Sequence, residues 1–503
     1  MPVARSLTGA SRNLAVVRTT ARSCRRNAFT VQASNNVLVV GSGGREHALG
    51  TSSLPRTSNL EPRTSNLEPR TSNIEPRTAC TLTLTLTPAP LACSAWKFSA
   101  SPSVSSVFCA PGNAGTGVEH NISNVKLNPS DHDQVIRFCR EKDIGFVVVG
   151  PEQPLVEGLV DSLTSAGITA FGPSASAARL EGSKEFMKNL CRKYDIPTAT
   201  YEVFDNPADA KAYVKRHGAP IVVKTSGLAA GKGVILCQTV DEATKAIDDM
   251  IVGQMFGSAG DTIVVEEFLT GEEASFFALI DGETCIPLVG AQDHKAVGEG
   301  DTGPNTGGMG SYSPAPVLTQ AIIDQVMNDI VHPTARGMAA EGCPFRGVIF
   351  AGLMIENGKA KLLEHNVRFG DPECQSIMVR LKSDLLETLR AALRGEATPL
   401  DWDPNPSLTV VVAANGYPGS YAKGTVIQGL ETVPADLAKV FHAGTELDDS
   451  GRVISTGGRV LGVTATGSSV AEAQKKAYEA VDLIIPTMYP DGFVRRDIGW
   501  RAV

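Results

Sequence analysis

The sequence predicts a three-domain protein of the α/β and α+β classes, with an open parallel sheet first, a mixed central domain next and a small mixed C-terminal domain last. Three observations predict it. A chain of 503 residues is too long for one ordinary core and points to about three domains. Its longest apolar runs, FVVV at 146–149 and VVVAA at 410–414, have strand length and fall far short of the roughly 20 residues of a membrane span. A buried strand at 36–40 runs into the glycine turn 41–44 and then into a helical start at 45–49, the opening of an α/β sheet.

Taken in order, residues 1–35 come first. They carry six Arg and no Asp, Glu or Lys, are rich in Ser, Thr and Ala, and lack a long apolar stretch. That is the pattern of an organelle transit peptide. Val31-Gln32-Ala33 resembles a plastid processing site, with a mitochondrial address as the alternative and a basic nucleic-acid-binding tail as a third reading.

The first domain spans 36–173. Its strand, glycine turn and helix start form a phosphate cradle, because free backbone N–H groups and the helix dipole point at the ligand. A dinucleotide fingerprint beginning at Gly41 needs a third glycine where Glu46 stands, which weighs against an oxidoreductase. Strands at 107–110 and 144–150 and helices at 131–142 and 155–166 complete it.

Residues 50–94 interrupt this domain. RTSNLEP occurs at 56–62 and 63–69, RTSNIEP at 70–76, and a TLTLTLTPAP run at 81–90. Each repeat has one apolar residue and a proline, so no coiled-coil seam exists and the segment is expected to be disordered. Taking +6 for the leader and +1 for this segment from −8 leaves −15 on the other 423 residues, an acidic body that disfavours nucleic acid. The ten cysteines include no C-x-x-C pair, which excludes a zinc-finger pattern and a secreted disulfide framework.

The central domain, 174–395, has strands at 221–224, 262–268, 274–280, 347–355 and 361–365. Three of its features carry chemistry. Lys224 leads into the loop 226–234, in which Gly227, Gly231, Lys232 and Gly233 suit a flap over a triphosphate or, more plainly, a hairpin. The loop is not a Walker A motif, which needs glycine at Ser226 and a hydroxyl at Gly233. Glu266 and Glu267 close an apolar strand and suit a nucleoside, or simply solvent. Glu364 and Asn366, two apart on a strand, face one side as hard oxygen ligands for magnesium or manganese, while His365 points away into packing. The C-terminal domain, 396–503, has strands at 408–413 and 459–465 and a helix at 470–483, with no catalytic constellation.

In this order these features resemble the ATP-grasp superfamily. RFGDPECQ at 368–375, GPNTGGMG at 303–310, QDHK at 292–295, APGNAG at 110–115 and the C-terminal RDIGWRA narrow the resemblance to the phosphoribosylamine–glycine ligases. The resemblance implies that Lys184 and Lys224 contact ATP phosphates, that Glu266, Glu267, Leu269 and Glu273 frame the nucleoside, and that Glu364 and Asn366 hold Mg²⁺. It further implies that Gly43, Gly44, Arg45, Glu46 and Asn113 receive 5-phosphoribosylamine, and that Asp293, Lys295, Arg368 and Asp371 surround glycine and the acyl phosphate. Arg368 with Asp371 as a structural pair is the alternative. The substrates implied are ATP, glycine and 5-phosphoribosylamine, acted on by a monomer without nucleic-acid or membrane partners. Another ATP-grasp ligase and a non-catalytic scaffold are the rival readings. Family members run from a helix like 45–49 directly into Ala-Trp-Lys, here Ala95-Trp96-Lys97, so residues 50–94 read as an intron retained in the gene rather than as a true insertion.

Overall fold

The structure is a computed structural model that describes residues 37–41, 85–86, 88–229 and 233–503. The leader, the glycine turn with Gly43, Gly44, Arg45 and Glu46, the seven-residue repeats, and Gly231 and Lys232 lie outside the described residues.

The first region is a parallel sheet in the order Ile122–Asn124, Val107–Pro111, Val37–Gly41, Phe146–Val149, Ala170–Phe171. All four residues of Phe146–Val149 are buried, as a strand covered on both faces requires. The helix His132–Glu141 starts where the Asp131 carboxylate accepts the Gln134 N–H. Two expectations are corrected. The helix anticipated over 155–166 is two helices, Glu152–Val156 and Leu159–Ser165, because Gly158 adopts a left-handed φ of 86° between them. The end of the segment expected to be disordered is built into the fold. Thr85–Leu86 pairs with Val40 and Gly41, and Pro88–Ser99 is a helix. Its Ala92, Cys93, Ala95 and Phe98 are buried at helical spacing, so this stretch has the apolar face that the repeats lack.

The central region contains two antiparallel sheets. The smaller lobe orders Tyr201–Phe204, Ile263–Glu267, Ile221–Thr225, Val234–Cys237, and has its own core, including Val214, Val223, Ile247 and Ile263. The second sheet orders Thr284–Pro287, Glu272–Asp281, Arg346–Glu356, Lys359–Asn366. Its Phe276, Phe350 and Leu353 share a core with Leu38 and Phe146 of the parallel sheet.

The third sheet mixes regions. Gln292–Asp293 and Gly310–Ser313 pair in turn onto Ser407–Ala414, which is followed by Arg459–Thr466 and Lys439–His442. The helix Val470–Leu483, capped by Ser469, covers this sheet through Ala473, Ala477, Ala480 and Val481. Among the described residues, the cysteines are free and all but Cys285 are buried. No described helix is long and apolar enough to cross a membrane.

Candidate functional site

The site lies where the small lobe meets the edge of the second sheet. Lys224, near the end of Ile221–Thr225, opens the glycine-rich loop. A Cβ on Gly227 would stand 2.7 Å from the Ala259 Cα, and one on Gly233 would stand 2.2 Å from the Thr225 Oγ1, so both positions exclude a side chain. Lys184 begins the helix Lys184–Lys193, whose N-cap is Ser183. Its backbone N–H donates to the Ser226 carbonyl at 2.8 Å, and the Glu185 N–H donates to the Ser226 hydroxyl at 3.1 Å. The two lysine-bearing elements are thereby tied at one residue.

The acidic strand end divides its carboxylates between two roles. Glu266 turns inward, buried against the ammonium groups of Lys188 and Lys224. Burial disfavours its charge, yet Lys224 and Lys188 outweigh burial and hold its pKa below the ordinary value. Glu267 turns outward to Lys361 at 2.9 Å, and Leu269 follows the strand half-buried. Glu273, on the second sheet, accepts from Lys295 at 2.6 Å. Among the framing residues, Glu266, Glu267 and Glu273 therefore each have a cation partner.

Glu364 and Asn366 emerge at the end of Lys359–Asn366, just past an irregularity in its ladder with Arg346–Glu356. Burial opposes ionisation of Glu364, but Lys184, Lys295, Lys224 and Arg368 surround it and keep its pKa low. An ionised carboxylate beside an amide oxygen is a hard donor pair that fits magnesium or manganese. Among the described residues there is no group of three or more His, Cys, Asp or Glu that could hold a metal ion. His365 faces away, buried, with its Nε2 at 3.1 Å from the Thr334 hydroxyl. Its pKa falls to about 3 through burial.

Asp293 ends the edge strand Gln292–Asp293, and Lys295 lies two residues beyond it. Burial pushes the Asp293 pKa up, while Glu273, Asp293 and Glu364 overcome burial and hold Lys295 as a cation. Arg368 and Asp371 do not pair with each other. Arg368 meets Glu152 of the first region at 3.4 Å and Glu181 of the helix Ala175–Gly182 at 2.9 Å. Asp371 meets Arg459 of the C-terminal region at 2.9 Å. The same guanidinium donates to the carbonyls of Gly307 and Asp371 at 2.8 and 2.7 Å, joining the GPNTGGMG and RFGDPE loops. Asn113 accepts from the Thr116 N–H and donates to the His442 carbonyl, so its side chain anchors a turn against the C-terminal region.

Sequence reasoning missed Lys188, Glu181, Glu152, Glu373 and Arg459. Lys188 had a signal, since it lies four residues after Lys184 on one helix face. Glu373 is buried and accepts from the Ser275 hydroxyl at 2.9 Å. Burial and the nearby Asp293 push its pKa up to about 7. Arg459 had no local signal; the chain path alone brings it to the site.

A glycine-rich loop and two lysines on one antiparallel sheet and helix, facing a carboxylate–amide pair on a second antiparallel sheet, define an ATP-grasp protein. Sequence profiles agree. Those described as the N, ATP-grasp (A) and C domains of phosphoribosylglycinamide synthetase match residues 92–181, 182–374 and 407–501. The chain belongs to the phosphoribosylamine–glycine ligase family. It is 59% identical over 410 residues to the chloroplastic phosphoribosylamine–glycine ligase of Arabidopsis thaliana, covering 80% of this chain and 76% of that one. It is 52% identical over 470 residues to the Mesorhizobium japonicum phosphoribosylamine–glycine ligase, covering 93% and 98%. The crystal structure of phosphoribosylamine–glycine ligase from Thermotoga maritima superposes with a TM-score of 0.73 at 30% identity, covering 83% of this chain and 99% of that one. A biotin carboxylase from Campylobacter jejuni shares the fold alone, with a TM-score of 0.62 at 14% identity and coverage of 82% and 91%.

Proposed function

We propose that this chain joins glycine to 5-phosphoribosylamine, converting ATP to ADP and phosphate and releasing glycinamide ribonucleotide. The observation that carries the reading is the ring of Lys184, Lys224, Lys295 and Arg368 around Glu364, on a chain of this family. A carboxylate is a poor electrophile, so a glycine carboxylate oxygen first attacks the γ-phosphorus. The bond from that phosphorus to the ADP oxygen breaks and glycyl phosphate forms. The amine of phosphoribosylamine then attacks the carbonyl carbon, phosphate leaves, and the nitrogen sheds a proton.

Each group of residues has one task. Lys184 and Lys224 stabilise the phosphates, and Gly227, Gly231, Lys232 and Gly233 form a flap that excludes water from the acyl phosphate. Glu267, Leu269 and Glu273 frame the nucleoside; Glu266 acts from behind by holding Lys224. Glu364 and Asn366 hold magnesium or manganese, which when bound neutralises phosphate charge during transfer. Lys295 and Arg368 bind the glycine carboxylate and the acyl phosphate, with Asp293 beside them and Asp371 bracing the loop. Gly43, Gly44, Arg45, Glu46 and Asn113 form the phosphoribosylamine side.

A plastid location extends this reading, supported by the arginine-rich, acid-free leader and the chloroplastic name of the Arabidopsis relative. Residues 50–94 are proposed to be retained intron, supported by the family match that begins at residue 92.

The test is ADP formation by the purified chain with each substrate left out in turn. Turnover that requires glycine and yields glycinamide ribonucleotide by mass supports the reading. ATP turnover indifferent to glycine sinks it.

A further inference from the structure

The Lys359–Asn366 strand makes its last ladder pair at Asn366, opposite Phe350. The next backbone N–H, on Val367, is buried and has no strand to donate to. A side chain takes it. Glu181, from the helix Ala175–Gly182, accepts the Val367 N–H through Oε2 at 2.8 Å. Its other oxygen, Oε1, accepts from the Arg368 guanidinium at 2.9 Å. One carboxylate thus holds both the main chain and the side chain immediately beyond Asn366.

The consequence reaches the amide. The nitrogen of Arg368 that Glu181 grips also donates to the Asn366 Oδ1 at 3.3 Å. An asparagine amide presents an oxygen or an NH₂ group depending on which way it is turned, and only the oxygen can ligate a hard cation. A guanidinium has no acceptor, so Arg368 selects the orientation that directs Oδ1 toward the site and leaves its second lone pair for a ligand. Glu152 also faces the same guanidinium, with its carboxylate 3.4 Å from Nε.

We propose that Glu181 is a positioning residue for the metal site, acting through Arg368 to fix the amide oxygen of Asn366. The inference rests on the ligase reading above and concerns the part played in it by the helix Ala175–Gly182. Glu181 stands three residues before Lys184, so the same short segment positions the metal strand and carries a lysine assigned to the phosphates. A group hydrogen-bonded directly to a metal ligand, as Arg368 is to Asn366, typically governs about 10–100-fold in metal affinity or activity, and Glu181 acts through that group, two hydrogen bonds from the amide.

The experiment titrates an equimolar Mn²⁺–ATP complex into the full chain, reading protein-bound Mn²⁺ by electron paramagnetic resonance, and titrates metal-free ATP separately. Glu181→Gln keeps the size of the side chain but replaces two acceptors with one. The expected result is roughly 10–100-fold weaker Mn²⁺ binding, with the affinity for metal-free ATP within about threefold of the parent chain. A folded Glu181→Gln that binds Mn²⁺ within about twofold of the parent overturns the proposal. If that variant loses cooperative unfolding, Arg368→Lys is read in its place, since an ammonium cannot span both partners. A loss of at least about tenfold there supports the proposal, and unchanged binding overturns it. A parent chain with no Mn²⁺ binding in the presence of ATP removes the ligase reading and this inference with it.

Discussion

Glu266 lies buried between two ammonium groups, which makes a sharp test of charge counting. Replacing it with glutamine strands both cations around a neutral amide. Breaking a buried pair by removing one partner costs about 3–5 kcal/mol. Part of that is recovered when Lys188 gives up its proton, since burial already lowers its pKa. Lys188→Met is a different perturbation. It leaves Glu266 and Lys224 as a neutral pair, fills most of the lysine stem, and loses a 2.7 Å hydrogen bond to Thr198. Its cost should be only about 1–2 kcal/mol. The double variant leaves one uncompensated cation where Glu266→Gln leaves two, so the single costs should exceed the double by roughly 1–3 kcal/mol. Urea unfolding of the four proteins measures this directly. In kinetics, Lys188→Met gives Glu266 wholly to Lys224, so the KM for ATP should rise while kcat holds. Equal damage from the two single variants, or additive costs, would refute the reasoning.

Three further outcomes are expected. Glu373 has a folded pKa of about 7, above its unfolded value of 4.5, so its contribution is present below the unfolded value and is lost as pH rises through about 7. Glu373→Gln cannot ionise and should gain about 1–3 kcal/mol on the parent chain between pH 5 and pH 8; parallel stability curves would contradict this. Arg459→Lys should lower kcat by about 10–100-fold, because a point ammonium cannot reach the Gly307 carbonyl, the Asp371 carbonyl and the Asp371 carboxylate together. Unchanged kcat in steady-state assays would make the contact purely architectural. Joining Leu49 directly to Ala95 should lower the KM for phosphoribosylamine at least about tenfold, roughly one good charged contact, without altering glycine-dependent isotope exchange in ATP. Peptide mass spectrometry of the native protein should find that junction, and repeat peptides alone would show that the segment is translated.

Much of the fold was legible because its signals are local. The run at 146–149, the alternation that sets Glu364 and Asn366 on one side, and the helical stretch at 470–483 are all short-range patterns. Lys224, Glu364 and Arg368 do stand close enough for their charges to act on one another. What could not be read is who answers whom across the chain. Arg368 finds Glu181 at a separation of 187 residues, and Asp371 finds Arg459 at 88. No spacing rule reaches that far. The inward turn of Glu266 was hidden for a related reason: Lys188 can be placed on the face of Lys184 by spacing, but which carboxylate it meets is set only when the sheet is laid over the helix. Gly158 was the reverse case, a local signal passed over in an otherwise helical pattern.

The sheet that pairs Gly310–Ser313 with Ser407–Ala414 also sets an order of assembly. The strand that carries Asp293 rests on Gly310–Ser313 and is bridged at Ala291 to Ser275, but the other side of Gly310–Ser313 has no partner until about a hundred more residues have been made. At a synthesis rate of about 5–20 residues per second, the interval is roughly 5–20 s. During it that side is an unpaired edge that other chains could join. A nascent or truncated polypeptide can already hold the lysines and the Glu364 strand, but the loop bearing Asp293 and Lys295 takes its shape only when the last third of the chain arrives. Incomplete products are therefore expected not to turn over ATP, and their exposed edge is a surface of the kind that aggregates.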